Sequence, residues 1–416
     1  MVPEKTLKRE KAILHIDGDA FFVGVEVAKN PKLRGLPVVT GEERGIVTAL
    51  SYEAKALGVV RGMPVFRLKK SFPQVIILPG DYAAYVKYSG KMFEIVRRYA
   101  DDVEEYSIDE CFADLTALDL PLKMSYRQIA ERIKKEIGAE LGLSVSIGVA
   151  PSKVLAKVAS KFVKPDGLTV ITKADASEFL VKTKIEKVWG IGPRTAEKMQ
   201  KMGIATALDF VSQDIKFVAQ KFSKPYETLW RELRGESIMK IDPNAKTVYA
   251  SIQKTRSFHP ATNDKIFLQS QISKHIESAC TKARHFFLVP KKVTFFLKTK
   301  DFKIHDFTIV LRNPTSAPEI LIEIAEENFK SFFKRGVVYR TTGVILHDLV
   351  AENSVPIDLF NSGSRSKRFE MIHRQIDNLE DKLGKRVVYL ASTHKAIKAS
   401  KKGTDSEEMD RNLLFL

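Results

Sequence analysis

The chain has 416 residues, of which 44% are hydrophobic, so it can bury a substantial core distributed over several domains. Its 68 Lys and Arg residues exceed its 51 Asp and Glu residues and give a net charge of +17, which favours a polyanionic partner such as nucleic acid and leaves a membrane surface as the alternative. Two cysteines, Cys111 and Cys280, exclude a disulfide framework and a zinc site with the usual number of ligands, and no apolar run is long enough to span a bilayer.

The first part of the chain predicts a mixed α/β domain. Its charged start lacks the cleavage pattern of a signal peptide, so we expect a cytoplasmic protein without a membrane partner. An apolar strand interrupted by acids is predicted at 12–22, and a strand at 143–150 turns at Pro151 into a helix. Helices are predicted at 82–99 and 125–141.

The stretch Tyr106–Leu115 raises an electrostatic question. Its apolar residues predict a buried strand, yet Asp109 and Glu110 stand side by side within it. Adjacent carboxylates repel each other and lose hydration when they are buried. The pair therefore predicts either a solvated strand end or a bound cation, and this stretch alone does not decide between them.

The second half of the chain divides into a helical part and a module in which the hydrophobic pattern alternates between the periods of strands and helices. Residues 168–240 are mostly helical, and the polar stretch at 234–246 predicts a linker. The order β-α-β-β-α-β predicts an open-faced sheet with helices on one side. Its elements are predicted at 248–258, 264–287, 291–300, 304–312, 317–334 and 337–347, and an amphipathic stretch follows at 368–383.

Two acidic clusters interrupt apolar strands. Asp17 and Asp19 flank Gly18 in the first cluster, and Asp109 with Glu110 forms the second. Each alone is more typical of a strand end, but two adjacent strands would bring the clusters together. Oxygen ligands without His or Cys favour Mg²⁺, and two such ions about 3.5–4 Å apart can clamp the attacking and leaving oxygens of a phosphoryl transfer.

Several motifs together resemble the Y-family, or translesion, DNA polymerases, and most closely the DNA polymerase IV branch. They are HIDGDAFFVGVE, SYEAKALGVVRGMP, YSIDECFADLT, SIGVAPSKVLAKVASKFVKPDG and VWGIGPRTAEKM, in this order. The resemblance implies an α/β multidomain, right-hand polymerase fold. The implied domains are a palm (1–24 and 77–167), fingers (25–76), a helical thumb with a helix–hairpin–helix (168–240), a linker (241–247), a β-α-β-β-α-β little finger (248–350) and a C-terminal tail (351–416).

The same resemblance implies a catalytic metal site. Asp17, Asp109 and Glu110 match the family's metal-binding carboxylates, and the carbonyl of Gly18 is expected to face a metal. Asp19 matches an acid that is usually not a direct ligand, so it is left out of the set. The expected cofactors are two Mg²⁺ ions, for which Mn²⁺ is expected to substitute.

Aromatic and basic residues near the acids match the family's nucleotide pocket. Phe22 matches the steric gate, an aromatic ring that excludes the ribose 2′-hydroxyl. Phe21 beside it is also assigned to the nucleotide-binding residues, although its side chain is expected to pack in the core. Tyr52, Lys55 and Lys164 match the positions that hold the triphosphate.

The triphosphate motif departs from the family pattern at two positions. Lys55 stands where Arg is common and supplies a point charge instead of a bidentate fork. Ala49 stands where Thr is common, with Thr48 next to it as a partial substitute. We therefore expect rearranged or weaker triphosphate contacts.

Three basic or glycine-rich features predict DNA contacts. Lys153, Lys157 and Lys161 recur on one helix face, which indicates either a solvated face or contact with the DNA backbone. Gly190 and Gly192 form a turn before a helix, where backbone amides suit phosphate binding. The strand residues predicted to contact the backbone are Lys254, Arg256 and Arg340.

The tail contains two candidate peptides for docking on a sliding clamp. Residues 355–360 resemble the clamp-binding peptide of bacterial polymerases through Ile357, Leu359 and Phe360, with a simple hydrophobic turn as the alternative. The terminal peptide 411–416 is the second candidate. Residues 369–392 resemble the C-terminal segment of UmuC-type polymerases, which leaves the subfamily open.

The motifs together predict a template-directed, low-fidelity DNA polymerase that tolerates damaged templates. Primer–template DNA and deoxynucleoside triphosphates are the expected partners, and a monomer is expected. A polymerase-shaped DNA-binding adaptor is one alternative, although an adaptor has no need of buried acids. A nucleotidyl cyclase or a similar phosphotransferase is the other, and the basic helix, thumb turn and little-finger module argue against it.

Overall fold

The computed structural model describes residues 10–244, 249–355, 364–384 and 386–402. They form two compact units, one built from residues 10–244 and the other from residues between 249 and 402. The division falls at the predicted linker. Within the described ranges, no helix is both long enough and apolar enough to cross a membrane.

The first unit is built on a five-stranded sheet of order β5-β6-β1-β7-β8, accompanied by a small sheet of order β3-β2-β4. The strands are β1 (Ile13–Gly18), β2 (Val38–Thr40), β3 (Ala49–Leu50), β4 (Ile76–Leu78), β5 (Val103–Ser107), β6 (Glu110–Asp114), β7 (Val145–Ala150) and β8 (Leu168–Val170). Strand β1 lies at the centre, antiparallel to both β6 and β7. Its apolar run therefore forms the core of the sheet.

The first unit contains helices on both faces of the large sheet and further helices that pack on the small sheet or on one another. They are α1 (Phe21–Lys29), α2 (Tyr52–Ala56), α3 (Val65–Ser71), α4 (Tyr82–Arg97), α5 (Asp119–Leu122), α6 (Tyr126–Leu141), α7 (Lys153–Phe162), α8 (Ala176–Leu180), α9 (Pro193–Lys201), α10 (Ala207–Val211), α11 (Ile215–Lys221) and α12 (Lys224–Leu233). Leu14 and Ile16 of β1 belong to the core cluster that includes residues of α4 and α6. Helix α7 packs on the opposite face, against β1 and β7.

A glycine in β7 makes the close approach of α7 possible. A Cβ atom at Gly148 would lie 2.2 Å from the carbonyl oxygen of Ala156 and 2.3 Å from the amide nitrogen of Ser160. Both contacts are far shorter than van der Waals distance and involve backbone atoms. The absence of a side chain at Gly148 therefore fixes how closely α7, with its lysines, lies on the sheet.

The predicted helices at 82–99 and 125–141 are confirmed as α4 and α6. Each begins at a side-chain cap: Asp81 accepts from the amide of Ala84, and Ser125 forms a capping box with Gln128. Two strand predictions need correction. The predicted strand at 12–22 ends at Gly18, after which α1 begins at Phe21.

The stretch Tyr106–Leu115 is also not a single strand. Strand β5 ends at Ser107, residues 108–109 form a turn, and β6 begins at Glu110. Asp109 thus stands in a hairpin turn and Glu110 at the first position of β6, both half-buried, rather than inside one continuous strand. This geometry places them at the end of the central sheet.

The second unit confirms the predicted β-α-β-β-α-β order. Its sheet has the order β11-β10-β12-β9 and is covered by helices on one face. The elements are β9 (Ser251–Thr262), α13 (Lys265–His285), β10 (Leu288–Thr299), β11 (Ile304–Val310), α14 (Pro318–Glu327), α15 (Phe329–Phe332), β12 (Tyr339–Ala351), α16 (Ser364–Leu383) and α17 (His394–Lys402). The helix predicted at 317–334 is thus two helices, which meet at Asn328.

The two C-terminal helices pack on the helical layer of the second unit. Both α16 and α17 contact α13. The Arg284 guanidinium of α13 donates to both carboxylate oxygens of Asp377 in α16, at 2.6 and 2.9 Å. This bidentate pair, nearly buried on the arginine side, ties the segment after β12 to the module.

Candidate active site

Strand register brings the two acidic clusters together. Asp17 of β1 is the direct cross-strand partner of Glu110 in β6. The amide of Gly18 donates to the carbonyl of Asp109 at 2.8 Å, which places the hairpin turn against the end of β1. The expectation that two adjacent strands converge at these acids is therefore confirmed, and three carboxylates share one end of the sheet.

Glu110 is held as a carboxylate by two neighbours. Its Oε1 accepts from the ammonium of Lys157 at 3.0 Å, and its Oε2 lies 3.3 Å from Nε2 of His15. Burial acts to raise the pKa of Glu110, but His15 and Lys157 outweigh burial and lower that pKa to about 2. Burial lowers the pKa of His15 itself, although Glu110 acts to raise it.

Asp17 is paired with the predicted triphosphate lysine. The ammonium of Lys164 donates to Oδ1 of Asp17 at 2.6 Å and lies 3.4 Å from Oδ1 of Asp19. Burial acts to lower the pKa of Lys164, but the negative charge of Asp17 outweighs it and raises that pKa. The lysine thus occupies a position where it neutralises one carboxylate of the cluster.

Asp109 differs from the other two acids. The Ser107 hydroxyl donates to its Oδ1 at 2.6 Å, and within residues 10–244 no ion pair reaches its carboxylate. Burial raises the pKa of Asp109, and the negative charges of Asp17 and Glu110 raise it further. The electrostatic demand for a cation therefore concentrates on Asp109.

Asp19 has a different set of contacts. Its carboxylate accepts from the hydroxyls of Ser144 and Ser146, both at 2.9 Å, and from the amide of Asp166 at 2.8 Å. These bonds fix the turn that carries Lys164. With its oxygens engaged in this way, Asp19 is a structural anchor, in agreement with its omission from the expected ligand set.

The two phenylalanines after the first acids have different surroundings. Phe21 is 4% exposed and packs in the core, while Phe22 is half-buried. The ring of Phe22 stacks on that of Tyr85, with centroids 4.3 Å apart and planes inclined by 11°, and meets Tyr82 edge-on. Phe22 is thus the second residue of α1, shortly after Asp17 in the chain, and its ring rests on two tyrosine rings.

The remaining nucleotide candidates lie partly around Asp19. The hydroxyl of Tyr52 donates to Oδ1 of Asp19 at 3.5 Å, close to Lys164. Lys55 is exposed, with its ammonium 5.7 Å from the centroid of the Tyr52 ring. The hydroxyl of Thr48 is 3.0 Å from that of Thr40, so the substitute suggested for the residue at Ala49 is already hydrogen-bonded.

The lysine face of α7 needs correction at two of its three positions. Lys153 and Lys157 are only 4% and 5% exposed. Lys153 donates to both carboxylate oxygens of Glu104 at 2.7 Å, and Lys157 pairs with Glu110. These two ammonium groups are neither solvated nor open to a DNA phosphate. Only Lys161, in the last turn, is exposed.

Three aromatic residues around Lys157 were not identified from the sequence. The ammonium lies 4.4 Å from the ring centroid of Tyr106, 4.7 Å from that of Trp189 and 5.9 Å from that of Phe112. We call these three rings the aromatic cage. Tyr106 and Phe112 belong to one hairpin, but Trp189 is far from them along the chain, and the only hint in the sequence is that this tryptophan directly precedes the glycine turn.

The predicted DNA contacts outside α7 have varied environments. Gly190, with φ of 91°, and Gly192 are exposed, and Gly192 precedes α9, which begins with Pro193. In the second unit, Lys254 and Arg256 share the face of β9 that carries buried Ile252, and both are half-buried. The Arg340 guanidinium lies 4.6 Å from the centroid of exposed Phe302.

The predicted clamp-binding residues Ile357, Leu359 and Phe360, and the terminal peptide 411–416, lie outside the described residues.

Comparisons with known proteins agree with this geometry. Models of the impB/mucB/samB family match residues 16–161, its C-terminal domain matches 250–359, and its helix–hairpin–helix motif matches 173–204. The DNA polymerase IV of Caulobacter vibrioides is 31% identical, with 90% of this chain and 92% of the relative aligned. DNA polymerase IV 1 of Bacillus subtilis is 30% identical over 95% of this chain and 96% of its own.

Solved structures show the same fold. A Y-family DNA polymerase chimera superposes with a TM-score of 0.67 at 24% identity, over 82% of this chain and 99% of its own. The DinB structure from Sulfolobus solfataricus superposes with a TM-score of 0.51 at 24% identity, over 82% and 99%. The chain therefore belongs to the impB/mucB/samB family of Y-family DNA polymerases, with DNA polymerase IV among its relatives.

Proposed function

We propose that this translesion-type DNA polymerase adds deoxynucleotides to a primer 3′ end with Asp17, Asp109 and Glu110 as its catalytic carboxylates. The observation that carries the proposal is the cross-strand pairing of Asp17 with Glu110, with Asp109 in the adjoining turn. Three half-buried carboxylates close together at the end of a sheet repel one another and lose hydration, a cost in folding free energy that a catalytic role explains. This location distinguishes the chain from a DNA-binding adaptor.

The donor set fits divalent cations. All three side chains offer only carboxylate oxygens, and the carbonyl of Gly18 is adjacent, which suits two Mg²⁺ ions, with Mn²⁺ as a substitute. Among the described side chains, no group of three or more His, Cys, Asp or Glu residues is already placed to hold a metal, and ammonium groups pair with Asp17 and Glu110. Bound cations would supply activation of the primer hydroxyl and neutralise charge on the leaving pyrophosphate.

Lys164 is proposed to exchange partners when a nucleotide binds. Its ammonium now neutralises Asp17 at 2.6 Å. A triphosphate carries more negative charge than one carboxylate, so Lys164 is expected to move to the phosphates and free Asp17. Tyr52 and exposed Lys55 are proposed to complete the triphosphate contacts, and Phe22 forms the floor under the sugar.

DNA contacts are proposed at exposed positions of the first unit and at half-buried positions of the second. The amides near Gly190 and Gly192 can hold a phosphate without reading sequence. Lys161 and Arg340 are further candidates, while Lys254 and Arg256 are proposed as contacts at the rim of their sheet. The chain is proposed to act as a monomer that docks on a sliding clamp through Ile357, Leu359 and Phe360.

Primer extension tests the proposal. The protein is incubated with a primer–template duplex, the four deoxynucleoside triphosphates and Mg²⁺, on an intact template and on one carrying an abasic site. We expect template-directed extension on both, with no extension when the metal is chelated. Duplex binding without extension would favour the adaptor, and consumption of nucleotide without a template would favour a cyclase-like phosphotransferase.

A further inference from the structure

The surroundings of Lys157 connect the carboxylate cluster to the glycine turn. The ammonium of Lys157 is 3.0 Å from Oε1 of Glu110 on one side and lies inside the aromatic cage on the other. At 5% exposure it is almost fully withdrawn from water. Because a buried ammonium needs neutralising partners, these two sets of contacts together account for its burial.

The aromatic cage is itself a connected unit. The indole N–H of Trp189 donates to the hydroxyl of Tyr106 at 3.1 Å. Trp189 and Phe112 stack with centroids 5.7 Å apart, and Tyr106 meets both rings edge-on. Tyr106 and Phe112 belong to the hairpin that carries Asp109 and Glu110, whereas Trp189 directly precedes Gly190. The cage thus joins the acidic hairpin to the proposed DNA-binding turn.

We propose that Lys157 is a positioning residue that shares Glu110 with the bound cation and transmits occupancy of the metal site to Trp189. This inference rests on the proposed function, because it assumes that Glu110 is a metal ligand. In the ligand-free protein, the ammonium of Lys157 forms an ion pair with Glu110 and cation–π contacts with the rings. A divalent cation bound to the Glu110 carboxylate would weaken its ion pair with Lys157. The ammonium would then interact more strongly with the cage, in which cation–π attraction is strong because water is excluded.

Coupling of this kind is reciprocal. If metal occupancy changes the surroundings of Trp189, contacts that shift Trp189 change the affinity of the metal site by the same factor. DNA bound at the turn of Gly190 and Gly192 would therefore favour a loaded metal site. Lys157 would thus couple binding of the DNA duplex to occupancy of the metal site.

Tryptophan fluorescence provides a readout independent of catalysis. The chain contains two tryptophans, so the Trp230→Phe variant leaves Trp189 as the sole emitter. Trp230 donates to the carbonyl of Gln213, and among the described ring contacts it stacks on none of the three cage rings, so its replacement by Phe is expected to leave the site intact. Mg²⁺ alone is titrated without DNA or nucleotide, since this ion has no unpaired electrons that quench emission directly.

We expect a saturable change in Trp189 emission with Mg²⁺. Adding Asp109→Asn should abolish the change by removing a metal ligand that does not touch Lys157. Adding Lys157→Met should also abolish it, and Lys157→Arg should restore it, because a guanidinium both pairs with a carboxylate and stacks on rings. Thermal melting of each variant verifies that it is folded.

A kinetic measurement complements the fluorescence. Lys157→Met should lower the single-turnover insertion rate about tenfold or more, with the nucleotide concentration at half-saturation within about twofold, since Lys157 touches Glu110 and not the substrate. Two results would overturn this inference without affecting the proposed function. One is an Mg²⁺-induced emission change of full size in Lys157→Met, and the other is no change in Trp189 emission with Mg²⁺ in a protein that extends primers. Absence of extension by the parent protein would overturn the proposed function.

Discussion

Asp17 and Glu110 face each other across two antiparallel strands, although 92 residues separate them along the chain (110 − 17 − 1). The pairing is set by backbone hydrogen bonds of a buried sheet, so the relative positions of the two carboxylates do not depend on flexible loops. Each acid carries its own counter-charge, Lys164 for Asp17 and Lys157 for Glu110. In the ligand-free protein, these two carboxylates are therefore neutralised by lysines that a bound cation must displace or share, while Asp109 has no such partner within residues 10–244.

Replacing Phe22 tests the proposed sugar selection. Phe22→Ala removes the ring that stacks on Tyr85 and opens space beside the acids. We expect the preference for deoxynucleotides over ribonucleotides to fall by about tenfold or more, with deoxynucleotide insertion largely retained. Insertion kinetics with matched nucleotide pairs measure the ratio. Phe66→Ala, which removes a phenylalanine that is 79% exposed in α3, is the control and should leave the ratio unchanged. An unchanged ratio in Phe22→Ala would refute the assignment.

Replacing Lys153 separates a structural role from DNA binding. Lys153→Met leaves the Glu104 carboxylate without its ammonium partner, which should reduce the free energy of unfolding by about 3 kcal/mol. Lys201→Met, at an exposed ion pair with Glu197, is the control and should cost less than about 1 kcal/mol. Denaturant melts compare the two.

DNA binding by the same variants completes that test. The slope of log affinity against log salt concentration counts phosphate contacts. Lys153→Met should leave this slope unchanged, because its ammonium is buried. A slope reduced by about one with unchanged stability would instead restore Lys153 as a phosphate contact.

A glycine pair tests the packing that positions α7. Gly148→Ala would place a Cβ atom within 2.3 Å of two backbone atoms of α7, so the helix must move away from the sheet. We expect a loss of about 3 kcal/mol in stability and loss of the Lys157–Glu110 contact. Gly90→Ala, at an exposed helical glycine with open space around it, should stabilise the protein by about 0.5–1 kcal/mol. Equal melting temperatures for both variants would contradict this account of the packing.

The parts of the fold predicted best are those with a strong local pattern. Helices α4 and α6 combine a periodic apolar face with a capping side chain. In the second unit, the hydrophobic pattern changes clearly between the periods of strands and helices. The hairpin turn at Ile108 and Asp109 was missed because it contains no Gly, Pro or Asn to mark it. The break at Asn328 was missed although an asparagine marks it, because buried Phe329 and Phe332 continue the apolar pattern beyond it.

The sequence predicted which residues form the candidate site better than it predicted the contacts of their side chains. Motif resemblance supplied Asp17, Asp109, Glu110 and Phe22, and register confirms that the acids converge. The burial of Lys153 and Lys157 was not predicted, because the partners that allow it, Glu104 and the aromatic cage, come from distant parts of the chain. A basic helix face indicates solvent or phosphate unless those tertiary contacts are known.

The most direct test of the central claim is single-nucleotide insertion by an Asp109→Asn variant in Mg²⁺. Asp109 is the carboxylate with the greatest need of a cation, and the substitution changes its charge with little change in shape. Asp101→Asn, at an exposed acid outside the site, is the matched control. We predict that Asp109→Asn lowers the insertion rate at least about a hundredfold while duplex affinity and melting temperature stay unchanged. Insertion at the wild-type rate by Asp109→Asn would contradict the assignment of these carboxylates to catalysis.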